Sequence, residues 1–144
     1  MAKVISLNIS EKKGVKKTPV NSVEVKVEHG IIGDAHSGNW HRQISLLANE
    51  SIDNMRIKLK ELKSGDFAEN ITTEGIELKT LKVGAQMKIG NTLHEVTQIG
   101  KECHSKCQIF HAVGDCVMPK EGIFTKVLEG GKINVGDEIT LLEV

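Results

Sequence analysis

The stretch QMKIGNTLHEVTQI, residues 86–99, has the pattern of a β-hairpin. Apolar and polar residues alternate on both sides of Gly90-Asn91. A glycine–asparagine pair between two such runs is typical of a two-residue turn that joins antiparallel strands. We therefore predict two strands that meet at Gly90, and we expect strands to dominate the rest of the fold.

The same period of two recurs along most of the chain, and a short apolar run after residue 42 indicates a buried strand. Many short strands, together with 14 glycines, favour a mainly β fold, a closed or half-closed β-barrel. No linker-like stretch divides residues 1–144, so we predict one domain. The further predicted strands are 3–10, 22–29, 43–48, 122–131 and 137–144.

One α-helix is predicted between residues 49 and 65. Its apolar residues recur at spacings of three, four and three, which places them on one helix face. Asn49 or Ser51 is suited to cap the start of the helix, and Ser64-Gly65 to end it. The four residues of the apolar face are Ile52, Met55, Leu59 and Leu62.

Composition excludes several classes of protein. The 19 basic and 19 acidic residues balance, which argues against a nucleic-acid or acidic-membrane partner. No apolar run approaches the roughly 20 residues of a membrane span, and the first residues lack the pattern of a signal peptide. We therefore expect a cytoplasmic protein whose three cysteines are kept as thiols.

All three cysteines lie in GKECHSKCQIFHAVGDC, residues 100–116. An odd number fits a disulfide framework poorly, and the C-x3-C spacing of Cys103 and Cys107 differs from that of common zinc sites, although a metal site stays open. A reactive thiolate is the alternative, because Lys101, Lys106 and His104 would stabilise the charged form of a neighbouring thiol. Cys116 is equally compatible with simple burial.

The segment HGIIGDAHSGNWHRQ, residues 29–43, combines glycines with basic side chains. His36, His41 and Arg42 are predicted to hold a phosphate or another oxyanion, which the planar guanidinium group suits. A zinc site formed by His36, His41 and Asp34 is the alternative, and so is a solvated loop without a ligand.

Two further segments carry polar residues of interest. In DFAENITTEGIEL, residues 66–78, Phe67 and Ile71 are expected to point inward. Asn70 offers a donor and an acceptor that suit the edge of a heterocycle, but an asparagine that bonds its own turn is the commoner case. The lysine-rich loop 11–19 is interpreted as a solvated connection, or as an anion-attracting rim if it folds near the histidines.

Four segments, taken in order, resemble the MOSC domain, a family named after the C-terminal domain of molybdenum cofactor sulfurase. They are GIIGDAHSGNWHRQISLL, GDFAENITTEGIEL, IGNTLHEVTQIGKECHSKC and GIFTKVLEGGKINVGDEI. The resemblance covers nearly the whole chain and is closest to small stand-alone members. It implies a barrel similar to that of pyruvate kinase and a role in handling the molybdenum cofactor, a molybdopterin.

The resemblance also implies site residues. Family members carry a cysteine that holds sulfur as a persulfide or ligates molybdenum, and it follows a strand ending in a segment like Val96-Thr97-Gln98. Gapless matching selects Cys103 as the reactive and metal-binding thiol, and a short shift selects Cys107. Gly33, Asp34 and Asn70 fall where the family lines its cleft. The complete predicted cofactor-binding set is Gly33, Asp34, His36, His41, Arg42, Asn70, Lys101 and His104.

Three functions follow from these observations. The first is a cofactor-binding or sulfur-carrier domain that serves molybdoenzymes or cofactor-biosynthesis proteins. The second is a molybdenum-cofactor-dependent reductase of N-hydroxylated bases, which would need an electron-donor protein. The third is a structural domain stabilised by zinc bound to Cys103, Cys107 and Cys116 together with histidines.

Overall fold

The computed structural model describes residues 2–12, 16–56, 64–65, 67, 69–100 and 122–142. Strands dominate these residues, as predicted, and one α-helix and one 3₁₀ turn (Leu78–Thr80) accompany them. The elements are β1 (Lys3–Ile9), β2 (Thr18–Val20), β3 (Ser22–Lys26), β4 (Gly30–Ile31), β5 (Ile44–Ala48), α1 (Asn49–Arg56), β6 (Ile71–Glu74), β7 (Gln86–Ile89), β8 (Thr92–Ile99), β9 (Ile123–Glu129), β10 (Gly131–Asn134) and β11 (Ile139–Leu142).

The predicted hairpin is confirmed. Strands β7 and β8 are antiparallel, and Ile89 lies opposite Thr92, so only Gly90 and Asn91 form the turn. Gly90 has a φ of 57°. A positive φ at the first central position is what a two-residue hairpin requires, and glycine adopts it without steric cost.

Eight strands form the main sheet, in the order β11-β7-β8-β9-β5-β6-β1-β2. Strand β5 lies near the middle, antiparallel to β9 and parallel to β6. All five of its side chains are buried, which confirms the buried strand predicted from its continuous apolar run. Three shorter strands form a second sheet in the order β10-β3-β4.

The main sheet curls into a half-open barrel. Its ends approach each other where β1 meets the residues before β11. Lys3 forms an isolated bridge with Glu138, and the backbone nitrogen of Val4 donates to the carbonyl of Asp137 over 2.8 Å. The sheet does not close completely, so the fold is mainly β with the half-closed barrel form that the sequence predicted.

The core is aliphatic, because the chain has few aromatic residues to contribute. Phe67 and Ile71 both point inward, as predicted, and have no exposed surface. Strands on opposite sides of the barrel supply the remaining side chains, which join in one cluster. Fully buried members include Val4, Leu7, Ile31, Ile44, Leu46, Met87, Ile89, Val96, Ile123 and Ile133.

Helix α1 begins at Asn49, one of the two residues predicted to cap it, and Ile52 of the predicted apolar face is buried. The second half of the predicted helix, with Leu59 and Leu62, lies outside the described residues. Among the helices that the structure describes, none has the length and apolarity needed to span a bilayer.

Candidate functional site

Residues 29–43, here called the histidine loop, run from β4 of the three-stranded sheet to the start of β5 in the main sheet. The two ends of the loop touch. A Cβ atom at Gly30 would lie 2.9 Å from the Cβ of Gln43, so only glycine fits there. Oε1 of Gln43 in turn accepts a hydrogen bond of 2.9 Å from the backbone nitrogen of Val127. The base of the loop is therefore fixed to β9.

One half of the histidine loop is held by a buried cluster, here called the lysine cluster, of Ser10, Lys17, Asp34 and His36. Nζ of Lys17 lies 2.7 Å from Oδ1 of Asp34, and both side chains are completely buried. The same ammonium group donates to Oγ of Ser10 over 3.0 Å and lies 3.1 Å from Nδ1 of His36. Because an ammonium group can only donate, Nδ1 of His36 accepts in that contact.

Backbone groups complete the environment of the aspartate. The backbone nitrogens of Ser10 and His36 donate to Asp34 over 3.1 Å and 3.0 Å. Burial acts to raise the pKa of Asp34, but the donors of His36 and Lys17 and the charge of Lys17 outweigh it and hold the pKa well below its usual range. Asp34 is therefore an ionised partner of Lys17, with its oxygens directed into the protein.

The prediction of a solvated lysine loop is wrong for Lys17. Lys12 and Lys16 are exposed, as expected, but Lys17 is only 4% exposed. The backbone nitrogen of Lys17 donates to the carbonyl of Gly65 over 2.8 Å, which directs its side chain towards Asp34. Burial of both charges together satisfies each of them, whereas either alone would carry a large desolvation cost.

The other half of the histidine loop is more exposed, with His41 exposed and Arg42 half-buried, and it is bound to the end of β8. Nε of Arg42 donates to Oε1 of Gln98 over 3.1 Å, and Nε2 of His41 lies 3.1 Å from the same oxygen. Nε2 of Gln98 donates to the carbonyl of Gly100 over 2.8 Å. Gln98 thus connects the two basic side chains to the point where the chain enters the cysteine segment.

A β-bulge makes this double attachment possible. Between Val96 and Gln98 the pairing of β8 with β9 shifts by one residue, so Thr97 is the extra residue. Successive residues of a regular strand face opposite sides, and a bulge changes that alternation. Here the hydroxyl of Thr97 donates to the carbonyl of His41 while Gln98 bonds the side chains of His41 and Arg42.

A cleft of about 400 Å³ opens beside the exposed half of the loop. Its volume is within the range of small-molecule sites, roughly 300–1,000 Å³. Its lining combines basic side chains, the carboxylate of Glu28, other polar groups and aliphatic side chains of β9. The residues that line it are Val27, Glu28, Asn39, Trp40, His41, Gln43, Thr97, Lys126, Val127 and Leu128.

Three contacts of aromatic side chains shape this region. The indole nitrogen of Trp40 donates to the carbonyl of His36 over 2.7 Å, which links the cleft to the lysine cluster. The rings of Trp40 and His41 meet edge to face, with centroids 5.8 Å apart. The guanidinium carbon of Arg42 lies 5.3 Å from the ring centroid of Phe124, a favourable cation–π distance.

Asn70 was predicted to line the cleft, but its side chain is completely buried. Its Oδ1 accepts hydrogen bonds from the backbone nitrogen and hydroxyl of Ser45, at 3.0 Å and 3.1 Å, and its Nδ2 donates to the carbonyl of Asn8 over 3.2 Å. Both the donor and the acceptor are thus used to join β5 to β1. Gly33 is exposed in a turn, with a φ of 92°.

The alternative zinc site of Asp34, His36 and His41 is not found. Within the described part of the chain, no three histidine, cysteine, aspartate or glutamate side chains come close enough to hold a metal ion. His36 belongs to the lysine cluster, while His41 bonds Gln98 on the exposed side. The predicted residues Lys101, Cys103, His104, Cys107 and Cys116 lie outside the described residues.

Two other buried ionisable groups lie away from the cleft. Burial raises the pKa of Glu69, although the hydroxyl of Thr72 donates to its Oε2 over 2.8 Å. Burial lowers the pKa of His94 to about 4. Nε2 of His94 lies 2.7 Å from the hydroxyl of Thr92, whereas its Nδ1 finds no partner among the described residues. Both groups therefore favour the uncharged form in the fold.

Sequence reasoning missed three residues of the site: Lys17, Thr97 and Gln98. Lys17 was included in a general lysine-rich loop, and nothing in its local sequence separates it from its exposed neighbours. Thr97 and Gln98 were noted only as the approach to the cysteines. Their attachment to the histidine loop depends on the bulge. The sequence of β8 alternates like that of a regular strand and so does not reveal the bulge.

Comparison with known proteins agrees with this architecture. The family model described as the MOSC domain matches residues 33–140, three quarters of the chain. None of the curated proteins compared with the chain matches it.

Solved structures share the fold over almost the whole chain. The YuaD protein from Bacillus subtilis superposes with a TM-score of 0.79 at 20% identity, covering 97% of this chain and 94% of that one. YiiM from Geobacillus stearothermophilus gives 0.76 at 24% identity, covering 99% and 76%. YiiM from Escherichia coli gives 0.71 at 17% identity, covering 99% and 70%. Together with the family match, this likeness of fold leads to one conclusion: the chain belongs to the MOSC domain family.

Proposed function

We propose that this protein binds the molybdenum cofactor, or carries sulfur for it, in the cleft beside His41 and Arg42. The MOSC family is associated with molybdenum-cofactor-related function. The observation that carries the proposal is the attachment of both basic residues, through Gln98, to the strand that leads into the cysteine segment. Gln98, which bonds both basic side chains, precedes Cys103 in the sequence by five residues.

The charge of Arg42 supports an anionic ligand. Among the described residues no carboxylate lies within ion-pair distance of its guanidinium group, whereas Asp34 neutralises Lys17. Nε of Arg42 is bonded to Gln98, and the guanidinium group lies over the ring of Phe124. A phosphate is an anion that such a planar donor set recognises well, and the pterin cofactor ends in a phosphate.

The shape and lining of the cleft also fit the cofactor. Its volume of about 400 Å³ suits a fused heterocycle, and Trp40 and His41 offer ring surfaces at its edge. Lys126 adds a second cation, although it shares its charge with Glu95 at 3.6 Å. In this proposal Arg42 holds the phosphate end, and His41 lines the cleft. Asn70 and Asp34 contribute only indirectly, by fixing β5 and the histidine loop.

We further propose that Cys103 supplies the sulfur, with Cys107 as its partner or replacement. Thiolate is a soft ligand that suits molybdenum or a sulfane sulfur, and Lys101 and His104 would favour the charged form. When bound, the cofactor would supply a molybdenum centre for sulfur or electron-pair transfer. The partners expected are molybdoenzymes or cofactor-biosynthesis proteins in the cytoplasm.

The test is metal and pterin analysis of the protein purified from a host that makes molybdopterin. We expect molybdenum together with pterin in the wild type, and a loss of most of the molybdenum or sulfane sulfur in Cys103→Ser. Cys116→Ser is the matched control and should retain its molybdenum or sulfane sulfur. Stoichiometric zinc without molybdenum would contradict the proposal and support the zinc-stabilised domain.

Two further outcomes refine the assignment. Full loading of Cys103→Ser with loss in Cys107→Ser would transfer the role to Cys107. Reduction of an N-hydroxylated base by the loaded protein, with a supplied electron donor, would establish the reductase in place of the carrier.

A further inference from the structure

The hydrogen bonds of Gln98 define the orientation of its amide. A guanidinium group can only donate, so the atom of Gln98 that lies 3.1 Å from Nε of Arg42 must be the oxygen. The amide nitrogen then faces the carbonyl of Gly100 at 2.8 Å, where a donor is required. Both contacts agree, and the amide can take only one of its two orientations.

This orientation decides where His41 carries its proton. The oxygen of Gln98 can only accept, and Nε2 of His41 lies 3.1 Å from it, so Nε2 must be the protonated nitrogen. In the neutral ring Nδ1 is then the acceptor. Nδ1 of His41 receives no hydrogen bond from the described residues, and His41 lines the cleft.

We propose that Gln98 is a positioning residue that keeps His41 in the Nε2–H tautomer, so that Nδ1 accepts a hydrogen bond from an O–H or N–H group of a ligand in the cleft. The bulge supports this role, because Thr97 fixes the backbone of the same histidine. The inference rests on the proposed function for the identity of the ligand. The tautomer can be measured in the ligand-free protein.

The first experiment is nitrogen NMR of the protein labelled at histidine, at about pH 8.5 where imidazoles are neutral. The His41 signals are assigned by their loss in His41→Gln. We expect the Nε2–H tautomer in the wild type and in Gln98→Glu, which keeps an acceptor oxygen. In Gln98→Leu the ratio of Nε2–H to Nδ1–H should fall roughly two- to tenfold, the effect of one net hydrogen bond.

Gln86→Leu, which alters a half-buried glutamine of β7, is the matched control and should leave the His41 signals unchanged. A predominant Nδ1–H tautomer in the wild type would overturn the inference, and so would an unchanged ratio in a folded Gln98→Leu variant. Circular dichroism shows whether each variant is folded. If Gln98→Leu does not fold, Gln98→Ala, which also lacks the acceptor oxygen, takes its place with the same expected fall in the ratio.

The second experiment uses inorganic phosphate as the probe, again at about pH 8.5, where the imidazole is neutral and the hydrogenphosphate ion still carries one O–H group. As phosphate is added, saturable changes in nitrogen chemical shift should be larger at Nδ1 of His41 than at Nε2. They should be smaller in Gln98→Leu than in the wild type. Larger changes at Nε2, or none at either nitrogen, would overturn the ligand half of the inference. A protein that shows the tautomer but acquires no molybdenum or pterin would refute the proposed function and leave the role of Gln98 intact.

Discussion

The two halves of the histidine loop hold charged groups in opposite ways. In the lysine cluster, Lys17 and Asp34 are completely buried and neutralise each other. At the exposed half, Arg42 is fixed by a neutral amide and an aromatic ring. A charge already paired in the interior contributes to the architecture, whereas a cation fixed by neutral groups beside a cleft is available to an anionic ligand. The difference separates residues that shape the site from those proposed to bind.

The largest effect is expected from Lys17→Met, which leaves the carboxylate of Asp34 buried without its cation. Such a change costs about 3–5 kcal/mol of unfolding free energy, measured by denaturant titration. Lys16→Met, at an exposed neighbouring residue, is the control and should change the free energy by less than about 0.5 kcal/mol. Equal effects of the two substitutions would show that Lys17 is not buried in solution.

The double variant Lys17→Met/Asp34→Leu sharpens the same test. Removal of both charges eliminates the unpaired buried carboxylate, so stability should partly recover relative to Lys17→Met. Unchanged stability on adding Asp34→Leu would mean that the cost of the single change does not come from Asp34.

The next effect is a loss of stability in mild acid that arises away from the loop. The pKa of His94 is about 4 in the fold and 6.5 as its ordinary value, so the unfolded chain binds the proton first. Stability is complete above pH 6.5 and declines towards pH 4, by on the order of 3 kcal/mol from this group. As pH falls from 6.5 to 4, the unfolding free energy of the wild type should fall by more than that of His94→Gln. The amide of this variant does not titrate and can still donate to Thr92.

The two carboxyl groups whose pKa values are shifted, Asp34 and Glu69, respond to acid differently from His94. The pKa of Asp34 is lowered from its ordinary value of 3.8, so its contribution is present above pH 3.8 and is lost only as pH falls further. The pKa of Glu69 is raised from 4.5, so its protonation in the fold adds stability as pH falls. Parallel decline of wild type and His94→Gln between pH 6.5 and 4 would assign the acid effect to groups other than His94.

A smaller effect on stability, with a larger one on binding, is expected for Arg42→Lys. The variant keeps the charge but loses the Nε contact with Gln98 and the planar group over Phe124. Unfolding free energy should fall by about 1 kcal/mol, while cofactor loading in a molybdopterin-competent host should fall several-fold more than in Lys16→Met. Normal loading would place the anionic end of the ligand elsewhere.

The smallest effect is expected for Lys126→Ala, at the rim of the cleft. The pair with Glu95 is long, at 3.6 Å, and partly exposed. Exposed pairs contribute about 0–1 kcal/mol, so denaturant midpoints should hardly change. A loss of stability as large as that of Lys17→Met would contradict the distinction between buried and exposed charges.

By itself, the sequence determined most of the strands and the position of the hairpin. Alternating side chains and the Gly90-Asn91 turn are local features that do not depend on distant residues. It also identified the histidine loop as a candidate site, since glycines and basic groups are concentrated there. The mainly β fold and the MOSC family both followed from this local and ordered information.

Only the tertiary structure decided which charges are paired. Lys17 and Asp34 meet because a short strand pairs with β1 and the histidine loop folds back on it, and neither event has a local signal. Gln98 reaches His41 and Arg42 because a bulge redirects the end of β8. Contacts between distant segments depend on packing and register, so charged side chains form a buried ion pair in one place and a half-buried cation held by neutral groups in another.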